Sequence, residues 1–208
     1  MHPNPAFRQE PRARNLGFAR ERGFGMLSVN GDPSPMLSHV PFALSGDGAF
    51  ADLHLVRSNP IARAAREPLP GVIAVSGPDG YVSPDWYGDP GQVPTWNYVA
   101  VHLHGTLHPL PDDDLRASLD TLTELFEGRL LPKPPWTLDK TPADVQARLM
   151  RMIRPFRFDI AEVDGTWKLA QNKPPEVRHA AADHLKGAET GQETALLAAL
   201  MLGVCDGE

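Results

Sequence analysis

Three stretches of this chain carry residue types whose spacing could do chemistry. The first is Arg57-Ser58-Asn59-Pro60, where a strand pattern gives way to a helix start. Free backbone N–H groups, a helix dipole, a guanidinium and a hydroxyl together suit a phosphate. The same residues also make a plain helix cap beside a surface arginine, with Asn59 at the N-cap and Pro60 at the first helical position. The second stretch is the row His102, His104 and His108. Imidazoles two residues apart on a strand lie about 7 Å from each other, a spacing that can serve a metal. No glutamate stands at a useful spacing, and Asp112 to Asp114 read as a helix start, so a polar strand face explains the row more simply. The third is residues 76–98, with all three tyrosines, two of the four tryptophans, and the stiff residues Pro78, Pro84, Pro90 and Pro94. Such a loop either walls a flat ligand or packs as a satellite core over a barrel end. Composition leaves both open.

Covalent catalysis finds no support. Cys205 is the single cysteine and has no evident activating neighbour, and neither a Walker loop nor Gly-x-Ser-x-Gly occurs. One cysteine also excludes a disulfide framework and a zinc knuckle.

The elements that must position these residues follow from pattern. Phe24 to Val29 and Met36 to Leu44 read as partner strands across the Asn30-Gly31-Asp32-Pro33 turn. The second is expected to bend or lie at an edge, because Pro41 lacks a donor. Ala49 to Val56 is a third strand, followed by a short helix from Ile61 that Pro68 and Pro70 end; Gly71 to Ser76 is a compact apolar strand. From Tyr98 to His108 the alternation is nearly unbroken, with Val99, Val101, Leu103 and Leu107 on one face and the histidines on the other. A helix is expected from about Asp113 to Glu127 on Leu115, Leu119, Leu122 and Phe126, and another from Thr141-Pro142. Phe156 to Val163, an Asp164-Gly165 turn and Thr166 to Ala170 read as a hairpin, and Ala195 to Leu202 as a short helix. Strands come as neighbours rather than alternating with helices, which argues for an antiparallel barrel or sheet with peripheral helices.

Composition sets the outer limits. Twenty-two prolines in 208 residues is about twice the globular average of roughly 5%, which disfavours a mostly helical protein. The net charge of −6 gives no basic face for nucleic acid; the cluster Arg8, Arg12, Arg14, Arg20 and Arg22 is diluted by Glu10 and Glu21 and reads as a solvated stretch. No apolar run approaches a membrane span and the N-terminus lacks a signal-peptide core, so a cytoplasmic location is expected.

Several strings then add up. Ser38-His-Val-Pro-Phe42, Asp52-Leu-His-Leu-Val-Arg-Ser-Asn-Pro60, Gly77-Pro-Asp-Gly-Tyr-Val-Ser-Pro-Asp-Trp-Tyr87, Val93-Pro-Thr-Trp-Asn-Tyr98 and Trp167-Lys-Leu-Ala-Gln-Asn172 occur in this order. Together they resemble the PaiB-like family of FMN-binding negative transcriptional regulators, over about residues 24 to 185. The resemblance implies a mainly β (α+β) split β-barrel of the pyridoxamine phosphate oxidase type. It would form one domain over residues 1–208, with a helical extension from about 173. It implies a homodimer with FMN at the subunit interface, Arg57, Ser58 and Asn59 on the phosphate within the stretch opened by His54, and His39 near the flavin ring. Trp96 and Asn97 would line the ring or its entrance, and Lys168, Gln171 and Asn172 would reach the cofactor from the second subunit.

The departures have chemical consequences. Lys168 and Ala170 stand where the oxidases carry an arginine and a histidine used on substrate, which speaks against pyridoxamine phosphate oxidation. Asp79-Gly80 replaces the more usual His-Ala and brings a negative charge that either opposes a dianionic phosphate or faces solvent. The family name implies a regulator, with DNA as a conceivable direct partner, although nothing in the chain reads as a helix-turn-helix. An FMN-dependent oxidoreductase acting on a small molecule is the first alternative. A metal- or heme-binding barrel using the His102/His104/His108 face is the second.

Overall fold

A computed structural model describes residues 1–204; Cys205, singled out above, lies outside the described residues. The chain forms two compact units. One, the barrel unit, comprises residues 16–75 and 102–163; the other, the terminal unit, comprises residues 1–15, 76–101 and the chain from Asp164 on. Seven antiparallel strands lie in the order β1-β2-β3-β6-β5-β4-β7, with β1 also pairing with β4. They are β1 (Phe24–Val29), β2 (Met36–Leu44), β3 (Phe50–Val56), β4 (Leu69–Val82), β5 (Thr95–Pro109), β6 (Ile153–Lys168) and β7 (Gly191–Gln192). The helices are α1 (Arg12–Arg22), α2 (Pro60–Ala64), α3 (Leu115–Gly128), α4 (Ala143–Met150), α5 (Pro175–Leu185) and α6 (Thr194–Leu202). This is the expected α+β split barrel with peripheral helices. No helix among the described residues is long and apolar enough to cross a membrane.

In the barrel unit, alternate residues face inward and exclude water. Leu27, Phe42, Leu53, Ile73, Leu103, Leu107, Phe156 and Phe158 are fully buried, and such burial is the main term holding a barrel together. The β1–β4 pairing, Met26 opposite Ala74 to Val29 opposite Gly71, closes the strand order on itself. Pro41 neither breaks β2 nor leaves it at an edge. Its missing N–H falls where pairing passes from β1, which matches Met36–Pro41, to β3, which matches Phe42–Leu44. Gly105 takes the inward place between Leu103 and Leu107, and a Cβ there would lie 1.9 Å from the Asp159 carbonyl oxygen. Glycine is therefore demanded by the backbone of the neighbouring strand.

In the terminal unit, Val82, Val99, Val101, Trp167, Leu169, Leu185, Leu197 and Met201 make the core. A Cβ on Gly80 of β4 would meet Leu185 of α5 at 2.8 Å and Leu197 of α6 at 3.4 Å, so this glycine lets both helices close onto the strand.

Two local readings need correction. The Phe156–Ala170 hairpin does not form; β6 runs unbroken from Ile153 to Lys168. The N-terminal segment takes the place of a returning strand: Arg8 pairs with Asp164 at 2.7 Å, and Asn15 packs against Gly165, where a Cβ would lie 2.1 Å from its Oδ1. Asp-Gly turn chemistry loses to these distant partners. The proline-rich stretch 76–98 is not all loop, because β4 continues through Pro78 to Val82 and β5 begins at Thr95, leaving a 3₁₀ turn at Pro84–Tyr87 between them. The arginine-rich N-terminus keeps Arg8, Arg12 and Arg14 exposed as a solvated stretch would, and α1 within it buries Asn15, Leu16 and Ala19 along one side.

Candidate functional site

The β3–α2 turn is built by local chemistry. Asn59 is extended, its Oδ1 accepts the Ile61 N–H at 2.9 Å, and Pro60 opens the helix. The same amide donates through Nδ2 to Ser38 Oγ of β2 at 3.0 Å. One side chain thus caps α2 and ties it to the sheet, leaving Ser58 exposed at the tip. Because α2 is five residues long, its dipole contributes little, and side chains must supply most of any attraction for an anion.

Arg57 supplies that charge and is held from two sides. Its backbone N–H donates to the Met152 carbonyl at 2.8 Å and its Nε to the Arg151 carbonyl at 3.0 Å. Its Nη2 lies 2.7 Å from Asp112 Oδ2. Arg154 of β6 comes to the same carboxylate, with Nε 3.9 Å from Asp112 Oδ1 and buried without an acceptor among the described residues. Neither Asp112 nor Arg154 stood out in the sequence, since they lie 55 and 97 residues beyond Arg57 in the numbering. Pairing of β3 with β6 sets Arg154 opposite Leu55, and the Leu110 N–H bond to the Pro155 carbonyl carries the chain after β5, with Asp112, to the same end.

The two expected histidines lie elsewhere on the barrel unit. Alternation along β2 turns His39 away from the face on which Ser38 meets Asn59. His39 is exposed and stacks on the Phe24 ring, with centroids 6.2 Å apart. His54 is half-buried on β3 opposite Pro155; its Nδ1 has no partner among the described residues, and burial pushes its pKa below the ordinary value.

The remaining expected residues belong to the terminal unit. Trp96 and Asn97 are neighbours on β5 and face opposite ways. Trp96 is 46% exposed, whereas Asn97 is buried with Nδ2 3.4 Å from Met201 Sδ. Trp96 lines a hollow of about 420 Å³ with Ser76, Gly77, Asp79 and Tyr98, while Asn97 does not. Asp79 accepts the Gln192 N–H at 3.2 Å and lines that hollow, so its carboxylate is partly spent on β7. Lys168 donates to Thr95 Oγ1 and, at 2.7 Å, to the Trp96 carbonyl. Burial, with the nearby Lys173 charge adding to it, lowers its pKa. The Gln171 amide is fully engaged, accepting from the Leu169 N–H and donating to the carbonyls of Ala6 and Trp167. Asn172 is exposed. The expected residues thus fall into two sets: His39, His54, Arg57, Ser58 and Asn59 in the barrel unit, and Trp96, Asn97, Lys168, Gln171 and Asn172 in the terminal unit.

The histidine row shows no convergence. The His102 and His104 rings meet edge to face at 6.0 Å, and His108 Nε2 lies 3.2 Å from Asp159 Oδ2. Among the described residues no three His, Cys, Asp or Glu side chains gather as metal ligands.

With this geometry in view, similarity to known proteins is informative. The chain is 28% identical over 158 residues to "Protease synthase and sporulation protein PAI 2" of Bacillus subtilis, covering 75% of each chain. Among solved structures, the FAD and heme binding protein from Mycobacterium smegmatis superposes with a TM-score of 0.56 at 20% identity, over 78% of this chain and 73% of that one. The flavocytochrome Anf3 from Azotobacter vinelandii does so at 0.51 and 11% identity, over 80% and 72%. At such identities these two speak for the fold. The family model described as "Putative FMN-binding domain" matches residues 1–162, so the chain belongs to that family, as its PaiB-like motifs imply.

Proposed function

We propose that this protein binds FMN, with the flavin phosphate at the β3–α2 turn of the barrel unit and Arg57, Ser58 and Asn59 as its ligands. The observation that carries the reading is the pair of hydrogen bonds made by Asn59, accepted from the Ile61 N–H and donated to Ser38 Oγ, which holds the turn rigid with Ser58 exposed and Arg57 alongside. The residues fit a phosphate: two guanidinium groups stand at the turn, and the buried Arg154 Nε still lacks an acceptor. A rigid turn needs little ordering when the ligand arrives, which favours affinity.

The remaining assignments belong to the same proposal. A homodimer would let Lys168 and Asn172 approach a flavin bound to the other subunit, with Gln171 shaping their turn through its three internal hydrogen bonds. Trp96, half-exposed beside Tyr98, offers an aromatic wall for a flat ring or a small-molecule substrate. In the same proposal His39 of β2 and His54 of β3 approach the flavin from the barrel unit, while Asn97, turned inward, bonds Met201 Sδ rather than the ring. When bound, FMN would supply redox chemistry, and the protein would supply position and electrostatics.

Two roles build on such binding: a regulator acting through a partner, or an FMN-dependent oxidoreductase. The net charge of −6 disfavours direct contact with DNA phosphates. Titration of the apo protein with FMN, read as flavin fluorescence quenching, tests the proposal. Saturable quenching is expected, and an unchanged signal with no rise in melting temperature would sink it.

A further inference from the structure

At one rim of the barrel unit an inward-facing apolar row ends in charge. Arg154 lies on the same face of β6 as the buried Phe156 and Phe158, and Arg57 follows two residues after the buried Leu55. Between the two guanidinium groups stands one carboxylate, Asp112, 2.7 Å from Arg57 Nη2 and 3.9 Å from Arg154 Nε. The second distance is too long for a hydrogen bond. Arg154 Nε is therefore a buried donor left unspent among the described residues, and such a group signals a missing acceptor. Two cations face one anion, so a net positive charge remains.

The Arg57–Asp112 pair is exposed on both sides, at 38% and 56%. Exposed ion pairs contribute little to stability, so this one can exchange for an anion from solution. We propose that Asp112 is an internal competitor: its carboxylate occupies the Arg57–Arg154 pair, and the phosphate of a monoester ligand displaces it. Arg154 is then a second phosphate ligand, whose Nε gains the acceptor it lacks. A phosphate brings close to twice the charge of the carboxylate, and three oxygens to share between two guanidinium groups. Asp112 also sets specificity, because a singly charged competitor has no advantage over the carboxylate already present. The inference rests on the flavin reading only for the identity of the phosphate bearer.

The test separates the two. Wild type, Asp112→Asn and Arg154→Gln are titrated with FMN and with riboflavin, which lacks the phosphate, and each is melted over a series of inorganic phosphate concentrations. Removing the competing charge should tighten FMN roughly fivefold, and Arg154→Gln should weaken it about tenfold. Riboflavin binding should be the same in all three. Phosphate should raise the melting temperature most in Asp112→Asn and least in Arg154→Gln. If no flavin binds but phosphate still ranks the variants this way, the flavin reading falls and the competitor stands. If phosphate and FMN fail to distinguish the three proteins, the competitor falls even where wild type binds FMN. Both substitutions are at partly exposed side chains, and matching circular dichroism spectra would show that the fold persists.

Discussion

Asn59 and Ser38 are joined by a 3.0 Å hydrogen bond that fastens the helix-capping residue of α2 to the strand β2. The bond makes the turn after β3 a fixed part of the sheet rather than a loop hung from it. Anything that binds at Arg57 and Ser58 meets a backbone already in place.

Asn59→Ala removes both the cap and this bond. A lost cap costs about 1 kcal/mol, and the bond to Ser38 adds up to about 1 kcal/mol. Urea denaturation should therefore show a loss of about 1–2 kcal/mol, with weaker FMN binding in the folded variant. Ser38→Ala should reproduce only the smaller part.

His54 makes stability depend on pH. The unfolded imidazole titrates near ~6.5, and burial lowers the folded value below that. The unfolded chain therefore binds the proton more readily. The contribution is fully present above about pH 6.5 and is lost as pH falls through that value toward the folded one. Comparing urea midpoints at about pH 8 and about pH 5, wild type should lose more stability than His54→Phe. Equal losses would show that His54 is not the group responsible.

Gly105→Ala should be among the most damaging single changes in the barrel unit. Its Cβ would lie 1.9 Å from the Asp159 carbonyl oxygen, and backbone cannot rotate away as a side chain can. We expect a loss of roughly 3 kcal/mol or more, seen as a lower urea midpoint. A neutral outcome would mean that β5 and β6 separate at this point.

Trp167→Phe deletes a buried hydrogen bond, Nε1 to Asn15 Oδ1 at 2.7 Å. It leaves the Asn15 oxygen short of a donor and removes part of the surface that the Arg14 guanidinium covers at 4.3 Å. The expected cost is about 1–3 kcal/mol. Limited proteolysis should then cut the N-terminal segment faster than in wild type.

What was legible in the sequence was what short-range chemistry decides. Asn59-Pro60 marked the start of α2, and the alternation from Val99 to Leu107 marked β5, because caps and period-two burial act over a few residues. The Asp164-Gly165 turn was misread because its competitors, Arg8 and Asn15, lie some 150 residues away in the chain. The candidate site divides in the same way. Arg57 and Ser58 could be named from one tetrapeptide, whereas Arg154 joins them through the pairing of β3 with β6, and Asp112 through the chain that leaves β5 beside Pro155. Trp96 and Asn97 looked like one surface, but strand alternation sends them to opposite sides.

The proposal stands or falls on a phosphate-bearing flavin binding through Arg57. Calorimetric titration of FMN into wild type and Arg57→Ala tests it most directly. Wild type should bind saturably at one flavin per chain, with an affinity at least about tenfold weaker in the variant, the scale of a lost charge-assisted hydrogen bond. No binding to wild type, or the same affinity in both proteins, would contradict it.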